Sequence, residues 1–169
     1  MIDITLRAME PEDLDILYKI ENDMALWHVS TTNVPYSRYV LHDFIANSSG
    51  DIYTDKQVRL MVENEEGIAI GTVDLVNFSA QHQRAELGLA ILQTYRNRGY
   101  GKATLEKIID YSWKILHLHQ LYVVVDSSQT ETIKLFLKCG FVQGAVLHDW
   151  LYTGEDYQNA VLLQYMKDK

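Results

Sequence analysis

The hexapeptide Arg96-Asn97-Arg98-Gly99-Tyr100-Gly101 decides the fold of this 169-residue chain. It follows a strand-like apolar run over residues 85–92 and precedes a helical pattern over residues 102–116. Glycines let the backbone approach a ligand closely, and the free N–H groups of a first helical turn favour an anion. Two arginines of the turn, and Lys102 directly after it, add positive charge. We therefore predict a phosphate-binding turn between a strand and a helix, with an ordinary glycine turn as the alternative.

A second strand and helix follow the first pair. Residues 121–125 form a short run rich in valine, which is typical of a buried strand. A helix is predicted over residues 130–138, with Ser128 and Glu131 at the spacing of a capping box and Gly140 at its end. This half of the chain therefore alternates strand and helix.

The remaining sequence carries further strand and helix patterns. The predicted elements are a strand through Ile2, Ile4 and Leu6, a helix from Pro11 through Leu14, Leu17 and Ile20, a helix over residues 37–45, strands over 58–63 and 68–78, and strands over 142–150 and 159–165. Loops are predicted over residues 47–50 and 77–83. A meander of strands followed by strand–helix–strand units is typical of an α/β sandwich.

Length and charge narrow the classes of function. A chain of 169 residues can bury a substantial core, and we expect one domain over residues 1–169. The sequence has neither a run of eighteen apolar residues nor a signal-peptide pattern, so we expect no membrane partner. The net charge of −8 argues against nucleic acid and suits a cationic acceptor. The single cysteine, Cys139, excludes an internal disulfide and fits a reducing cytoplasm.

The turn and the later helix together resemble a known family. Arg-x-x-Gly-x-Gly after a strand, and a helix ending in Leu-Phe-x-Lys-x-Gly-Phe, are similar to the GNAT family of acetyl-CoA-dependent N-acetyltransferases. Glu21-Asn22-Asp23, Pro35-Tyr36-Ser37 and Gly154-x-x-Tyr157 resemble its branch of spermidine and ribosomal-protein N-terminal acetyltransferases. The resemblance implies an α/β/α sandwich. Its mixed, mostly antiparallel twisted sheet would have about seven strands, splayed between the fourth and fifth, and about four flanking helices.

The resemblance also implies acetyl-CoA as the co-substrate, with no metal, and indicates its contacts. Backbone groups of Leu89, Ala90 and Ile91 would hold the pantetheine arm and the thioester carbonyl. An isolated strand glycine often marks a bulge, and Gly88 would free a backbone N–H for that carbonyl. Gln129 would bond the pantetheine, at a position where an asparagine is common. The phosphates would contact Arg96, Asn97, Arg98, Gly99, Tyr100, Gly101, Lys102 and Ala103.

Glu86 is the predicted general base. A primary amine has a pKa of about 10.4, so it is almost entirely protonated at pH 7 and must lose a proton before it attacks. Glu86 lies two residues before Gly88, so the two residues share a face of the sheet. In several branches of the family a glutamate at this place acts in amine deprotonation. The alternatives are an ion pair of Glu86 with Arg84, and Asp74 or His82 as the base.

Phe136 departs from the family pattern, which has a tyrosine that protonates the leaving sulfur. Phenylalanine cannot donate a proton, although it can pack against the pantetheine arm. The leaving thiolate has a pKa of about 8.5, so its departure needs little help. Two functions stay open. One is acetyl transfer to a primary amine, such as a polyamine like spermidine or a protein N-terminus; the other is a non-catalytic acyl-CoA-binding module of the same fold.

The acceptor site is weakly encoded. Trp27, Tyr36 and Asp43 fall in the region that forms the acceptor cleft in relatives. An aromatic wall with a carboxylate suits an alkylammonium ion, whereas packing in the core is the alternative for the aromatic side chains. We therefore expect a small-molecule or peptide amine as the partner and leave a homodimer open.

Overall fold

The computed structural model describes residues 2–23 and 34–168. Within these ranges, seven strands form one sheet in the order β1-β2-β3-β4-β5-β7-β6, and five α-helices flank it. The strands are β1 (Thr5–Ala8), β2 (Val58–Glu63), β3 (Ala69–Ser79), β4 (Arg84–Ile91), β5 (Gln120–Asp126), β6 (Val142–Tyr152) and β7 (Tyr157–Met166). The helices are α1 (Leu14–Glu21), α2 (Arg38–Asn47), α3 (Ile52–Asp55), α4 (Tyr100–Lys114) and α5 (Thr130–Lys138).

The sheet is antiparallel except where β4 meets β5. That parallel ladder runs only from Arg84 opposite Gln120 to Glu86 opposite Tyr122. Strand β4 continues to Ile91 and β5 to the end of its own pairing with β7. The two strands therefore diverge beyond Glu86, and the predicted splay between the fourth and fifth strands is confirmed.

Helices cover both faces of the sheet. Leu105 and Ile108 of α4 pack with Leu121 of β5 in the larger apolar cluster. Leu17 and Met61 pack with α2 in a smaller cluster on the opposite face. Since successive strand residues point to opposite faces, this arrangement is the predicted α/β/α sandwich.

The end of α5 confirms a predicted glycine. Gly140 has a φ of +97°, and a Cβ at this position would lie 2.8 Å from the ring of Tyr165. The N–H groups of Cys139 and Phe141 both donate to the carbonyl of Phe136, which closes the last helical turn. Glycine therefore meets both the backbone conformation and the close packing of this helix end.

Two local predictions are wrong. The start of α5 is not a capping box, because the N–H and the hydroxyl of Ser128 both donate to Asp126 Oδ1 at 2.8 Å. No bulge interrupts β4 at Gly88, since its pairing with β3 keeps one register. The register of that pair shifts instead between Val76 and Ser79, within a segment predicted to be partly loop.

The short helix α3 was not predicted. The side chain of Asp51 accepts a hydrogen bond from the N–H of Tyr53 at 3.1 Å and thereby caps the helix. A single turn of four residues carries too little apolar periodicity to be recognised from its sequence. Pro11, by contrast, begins a 3₁₀ turn that leads into α1, as expected for a proline at a helix start.

Candidate functional site

The predicted phosphate turn has the geometry of an anion site. Gly99 adopts a φ of +91°, and the first backbone bond of α4 runs from the N–H of Ala103 to the carbonyl of Gly99. The N–H groups of Tyr100, Gly101 and Lys102 have no acceptor within the described ranges, and no side chain caps the helix. These groups, together with the dipole of a 15-residue helix, favour a bound anion.

Gly101 brings the turn close to the rest of the site. A Cβ at this position would lie 3.2 Å from Leu135 Cδ2 and 3.9 Å from Leu89 Cδ2. The first turn of α4 therefore packs directly against α5 and the middle of β4. This contact places the anion site beside the splay, as a ligand that occupies both would require.

The basic side chains around the turn are held in different ways. Arg96 Nε donates to the carbonyl of Ile91 at 2.8 Å. The guanidinium of Arg98 lies 5.5 Å and 5.7 Å from the ring centroids of Tyr95 and Tyr100. Arg98 Nη1 also donates a long hydrogen bond to the carbonyl of Thr94 at 3.5 Å, which leaves its other N–H groups available to a phosphate. Lys102 is exposed and pairs only loosely with its helix neighbour, so it too can reach a ligand.

Tyr100 contributes to the turn through its backbone. Its ring is buried, and its hydroxyl donates to the carboxylate of Glu65 at 3.1 Å. Burial raises the pKa of Tyr100, and the accepting carboxylate raises it further. The side chain therefore fastens the start of α4 to the turn between β2 and β3, while the N–H of Tyr100 faces the anion site.

Beyond Glu86, one edge of β4 is open, since β5 no longer pairs with it. The N–H of Leu92 donates to the carbonyl of Ile70 at 2.8 Å. Because backbone groups alternate between the two edges of a strand, those of Leu89 and Ile91 then point away from β3 and into the splay. The backbone groups of Ala90 point toward β3. Leu89 is thus placed to bond an extended arm that lies along β4, and the N–H of Ile91 can do the same, whereas the carbonyl of Ile91 already accepts from Arg96.

A cavity of about 350 Å³ lies between the end of α1 and the end of β4. Its size is within the range of small-molecule sites. Three predicted cofactor-binding residues, Ala90, Ile91 and Arg96, line it together with residues at the end of α1 and just after it. The lining residues are Lys19, Ile20, Asp23, Ala90, Ile91, Leu92, Gln93, Thr94 and Arg96. Lys19 belongs to no motif, and Asp23, although part of the Glu21-Asn22-Asp23 stretch, was not among the predicted site residues, so the fold was needed to show that both face this cavity.

The α5 side of the splay carries the other two predicted cofactor contacts. Gln129 precedes α5, and its N–H donates to the carbonyl of Asp126 at 2.9 Å. Phe136 is only 3% exposed and packs edge to face on Phe141, with 5.0 Å between ring centroids. The ring of Phe136 therefore belongs to the core, and its contact with a pantetheine arm stays a prediction.

Glu86 lies where the splay opens. Its Oε2 accepts a hydrogen bond from Asn77 Nδ2 at 2.6 Å, and its side chain is partly exposed. No salt bridge joins Glu86 to Arg84 within the described part of the chain. Tyr122 faces Glu86 across the last ladder pair, and burial followed by the charge of Glu86 raises the pKa of Tyr122. The site thus combines a carboxylate with a neutral phenol.

The two alternative bases are less suited to proton transfer. Both oxygens of Asp74 accept hydrogen bonds from Arg59 at 2.7 Å, and Arg59 also binds Glu21. Burial alone would lower the pKa of Arg59, but the hydrogen bonds and charges of these two carboxylates raise it. His82 lies on the exposed turn between β3 and β4. Glu86 therefore remains the best candidate.

The predicted acceptor residues are only partly described. Trp27 lies outside the described ranges. The backbone of Tyr36 forms two hydrogen bonds with the side chain of Asn22, at 2.7 Å and 3.0 Å, next to the end of α1. Asp43 lies on the exposed side of α2 and accepts a hydrogen bond from Asn47. The side chain of Tyr36 packs against the smaller apolar cluster, as in the core-packing alternative, and Asp43 lies farther out on α2.

An anion-binding turn beside the open edge of a splayed sheet defines a class of acyl-CoA-dependent transferases. The chain belongs to the acetyltransferase (GNAT) domain family, whose model matches residues 3–142. It is 26% identical over 169 residues to the spermidine N(1)-acetyltransferase of Vibrio cholerae, covering 98% of this chain and 94% of that protein. It is 29% identical over 166 residues to the enzyme of the same name from Escherichia coli K12, covering 94% and 83%.

Solved structures give the same result. The crystal structure of the Vibrio cholerae spermidine N-acetyltransferase in complex with CoA and spermine superposes with a TM-score of 0.85 at 26% identity, covering 96% of this chain and 95% of that one. Among sequence relatives, a putative ribosomal N-acetyltransferase of Bacillus subtilis is 23% identical over 168 residues, covering 97% of this chain and 91% of that protein. The resemblance seen in the sequence is therefore confirmed, including the looser likeness to ribosomal enzymes.

Family membership decides between the two functions left open by the sequence. The protein is an N-acetyltransferase that uses acetyl-CoA as its co-substrate, rather than a non-catalytic acyl-CoA-binding module.

Within residues 2–23 and 34–168, no group of three or more His, Cys, Asp and Glu side chains is arranged to hold a metal ion. In the same ranges, no helix combines the length and the apolar character needed to cross a membrane.

Replacing Gly101 tests the anion site. We expect Gly101→Glu to weaken acetyl-CoA binding by at least about tenfold in calorimetry, because it places a negative charge at the predicted phosphate turn. A tenfold change in Kd corresponds to about 1.4 kcal/mol of binding free energy. Gly101→Ala is the matched control, since it adds the same Cβ against Leu135 without the charge. Equal affinities of the two variants would remove charge as the cause, and an unchanged affinity of Gly101→Glu would refute the assignment.

Proposed function

We propose that this enzyme transfers the acetyl group of acetyl-CoA to a primary amine of a polyamine such as spermidine. The observation that carries the proposal is a partly exposed carboxylate, Glu86, at the mouth of the splay on a chain with a net charge of −8. The proposal is supported by relatives over nearly the whole chain that are named for spermidine, and by a similar structure that holds CoA and spermine.

The cofactor side of the site would be divided between backbone and side chains. The N–H groups of Tyr100, Gly101 and Lys102 would bind the pyrophosphate, with Arg98 beside them. Backbone groups of Leu89 on the open edge of β4 would pair with the pantetheine arm. When bound, acetyl-CoA supplies the activated acyl group.

Glu86 would remove the proton from the acceptor. Exposing the lone pair of an amine with a pKa of about 10.4 costs roughly 4–5 kcal/mol at pH 7. Glu86 would take this proton directly or through a water molecule, and the amine nitrogen would then form a bond to the thioester carbonyl carbon. The carbon–sulfur bond breaks and its electron pair leaves with the thiolate, while the second proton of the nitrogen passes to solvent water or to that thiolate. Phe136 has no proton to give, and a thiolate with a pKa of about 8.5 does not depend on one.

Glu86→Gln tests the proposed base. The substitution keeps the shape and removes the basicity, so we expect kcat with spermidine to fall at neutral pH while the affinity for acetyl-CoA stays unchanged. The deficit should shrink as the pH rises toward 10, because free amine then becomes abundant without a base. CoA thiol release measured across this pH range checks the prediction. Wild-type rates at every pH would show that water alone or another residue accepts the proton.

A panel of amines tests the proposed acceptor. We expect spermidine to give a value of kcat/KM at least about tenfold above that of a peptide N-terminus, because two ammonium groups remain on spermidine to interact with an acidic protein. The KM for spermidine should also rise with ionic strength, since salt screens such interactions. Release of CoA thiol with the peptide but with no polyamine would assign the enzyme to the ribosomal type instead.

We also propose that residues 1–169 act as one domain in the cytoplasm and that two copies associate through the hairpin of β6 and β7. Strand β6 is an edge of the sheet, and Trp150, Tyr152 and Tyr157 of this hairpin are 58–60% exposed. Exposed aromatic residues on an edge strand favour association. The spermidine N-acetyltransferase of Vibrio cholerae has a dodecameric structure, which supports self-association. The single cysteine, Cys139, is free, as suits a reducing compartment.

Trp150→Asp tests the proposed interface. Placing a charge in an apolar contact disfavours association, so sedimentation velocity should show a smaller species than the wild type at the same concentration. Ile115→Asp is the control, because Ile115 is 62% exposed at the end of α4, away from the hairpin. A wild-type protein that sediments as a monomer would refute the proposal.

A further inference from the structure

We propose that Asn77 is a positioning residue that holds the carboxylate of Glu86 in the orientation needed to remove the proton. The inference rests on the proposed role of Glu86. It adds a residue from β3 to a site that sequence motifs confine to β4, α4 and α5.

The contact engages one oxygen of the carboxylate and leaves the other open. Asn77 Nδ2 donates to Glu86 Oε2 at 2.6 Å, and no other hydrogen bond reaches Glu86 within the described ranges. A carboxylate can accept at both oxygens. Fixing Oε2 therefore orients the side chain while Oε1 stays available to the amine or to a water molecule. Tyr122 lies opposite Glu86 in the ladder between β4 and β5, and within the described ranges neither Tyr122 nor Arg84 forms a hydrogen bond or salt bridge with this carboxylate.

The backbone of Asn77 is shaped to make this contact. Leu75 packs in the larger core, so strict alternation would send Asn77 toward that core and Phe78 toward the face that carries Glu86. Instead Phe78 is only 7% exposed in the core, and Asn77 is exposed beside Glu86. Asn77 and Phe78 thus occupy the opposite faces from those that strict alternation predicts. This change of faces occurs at the register shift between β3 and β4, where Asn77 has a φ of +49°.

Neighbouring contacts hold this irregular segment in place. The N–H of Phe78 donates to the carbonyl of Lys56 at 3.2 Å, and its ring packs edge to face on Tyr53 at 5.2 Å between centroids. A left-handed conformation at a residue other than glycine is tolerated best by asparagine and aspartate. Glycine would meet the backbone requirement without the donor, and aspartate would replace the donor by a like charge. Asparagine meets both requirements at once.

A double-mutant cycle between Asn77 and Glu86 tests the inference. We expect Asn77→Gly to lower kcat with spermidine about tenfold, as misorientation of a catalytic group does, with the KM for acetyl-CoA unchanged. Asn77→Asp should lower kcat at least as much, because it places a second carboxylate against Glu86. In the Glu86→Gln background, Asn77→Gly should cause no further loss, since the group that it orients is already inactive.

Gln83→Gly is the matched control. Gln83 also has a left-handed backbone, with a φ of +52°, in the connection from β3 to β4, and its side chain makes no hydrogen bond within the described ranges. We expect this variant to keep wild-type kcat. Thermal unfolding of all variants reports any loss of folded protein.

The outcomes separate the inference from the proposal beneath it. A loss of kcat from Asn77→Gly that is the same in both backgrounds, or that Gln83→Gly reproduces, would overturn the positioning role and leave Glu86 as the base. Wild-type activity of Glu86→Gln alone would instead overturn the proposed base. A loss in the wild-type background that vanishes in the Glu86→Gln background supports both.

Discussion

The short parallel ladder between β4 and β5 is the constraint on which the rest of the structure depends. Buried backbone N–H and C=O groups need hydrogen-bond partners, and beyond Glu86 the open edge of β4 has none from β5. A ligand with amide groups along an extended arm can satisfy them. The splay thus leaves one strand edge of the sheet open, as the proposed binding of acetyl-CoA requires. This open edge lies beside the candidate anion site at the start of α4.

The two faces of the sheet have different tasks. The face under α4 and α5 carries the larger apolar cluster, which fixes the phosphate turn through the contact of Gly101 with Leu135 and Leu89. The opposite face, under α1 and α2, carries polar and charged side chains, among them Glu86 and the Arg59–Asp74 pair. This partly buried ion pair adds little net stability, but it occupies both oxygens of Asp74. The proposed base thus lies on the face with the smaller apolar cluster, opposite the larger core.

The sequence predicted well whatever depends on local backbone requirements. Gly140 was recognised because only glycine adopts its left-handed conformation readily at such close packing, whereas Gly99 was singled out for close approach to a ligand and proves to be left-handed as well. The cap at Ser128 was predicted wrongly because Asp126, two residues earlier, competes for the same hydrogen bonds. Asp126 belongs to a strand whose end could not be fixed to one residue from the pattern alone.

Residues that act through distant partners could not be predicted. The irregularity assigned to Gly88 lies instead at Asn77, on the neighbouring strand, because the burial of Phe78 rather than a glycine determines where the register shifts. The position of Arg59 likewise depends on its pairing with Asp74 across the sheet, and that of Lys19 depends on how α1 packs beside the cavity. A linear pattern records which face a residue occupies, but the partner that it meets depends on register, which a single strand does not specify.

The presence of Glu86 and the absence of a tyrosine at Phe136 agree with the unequal demands of the two proton transfers. The pKa of the amine, about 10.4, lies more than three units above pH 7, so the reactive free amine is scarce. The pKa of the CoA thiol, about 8.5, lies only about one and a half units above pH 7, so little free energy is needed to release it as the thiolate. At about 1.4 kcal/mol per unit, deprotonation of the amine is the larger cost by more than a factor of two. An enzyme can therefore replace the acid by a phenylalanine that packs on Phe141, while a base, and a residue that orients it, remains worth having.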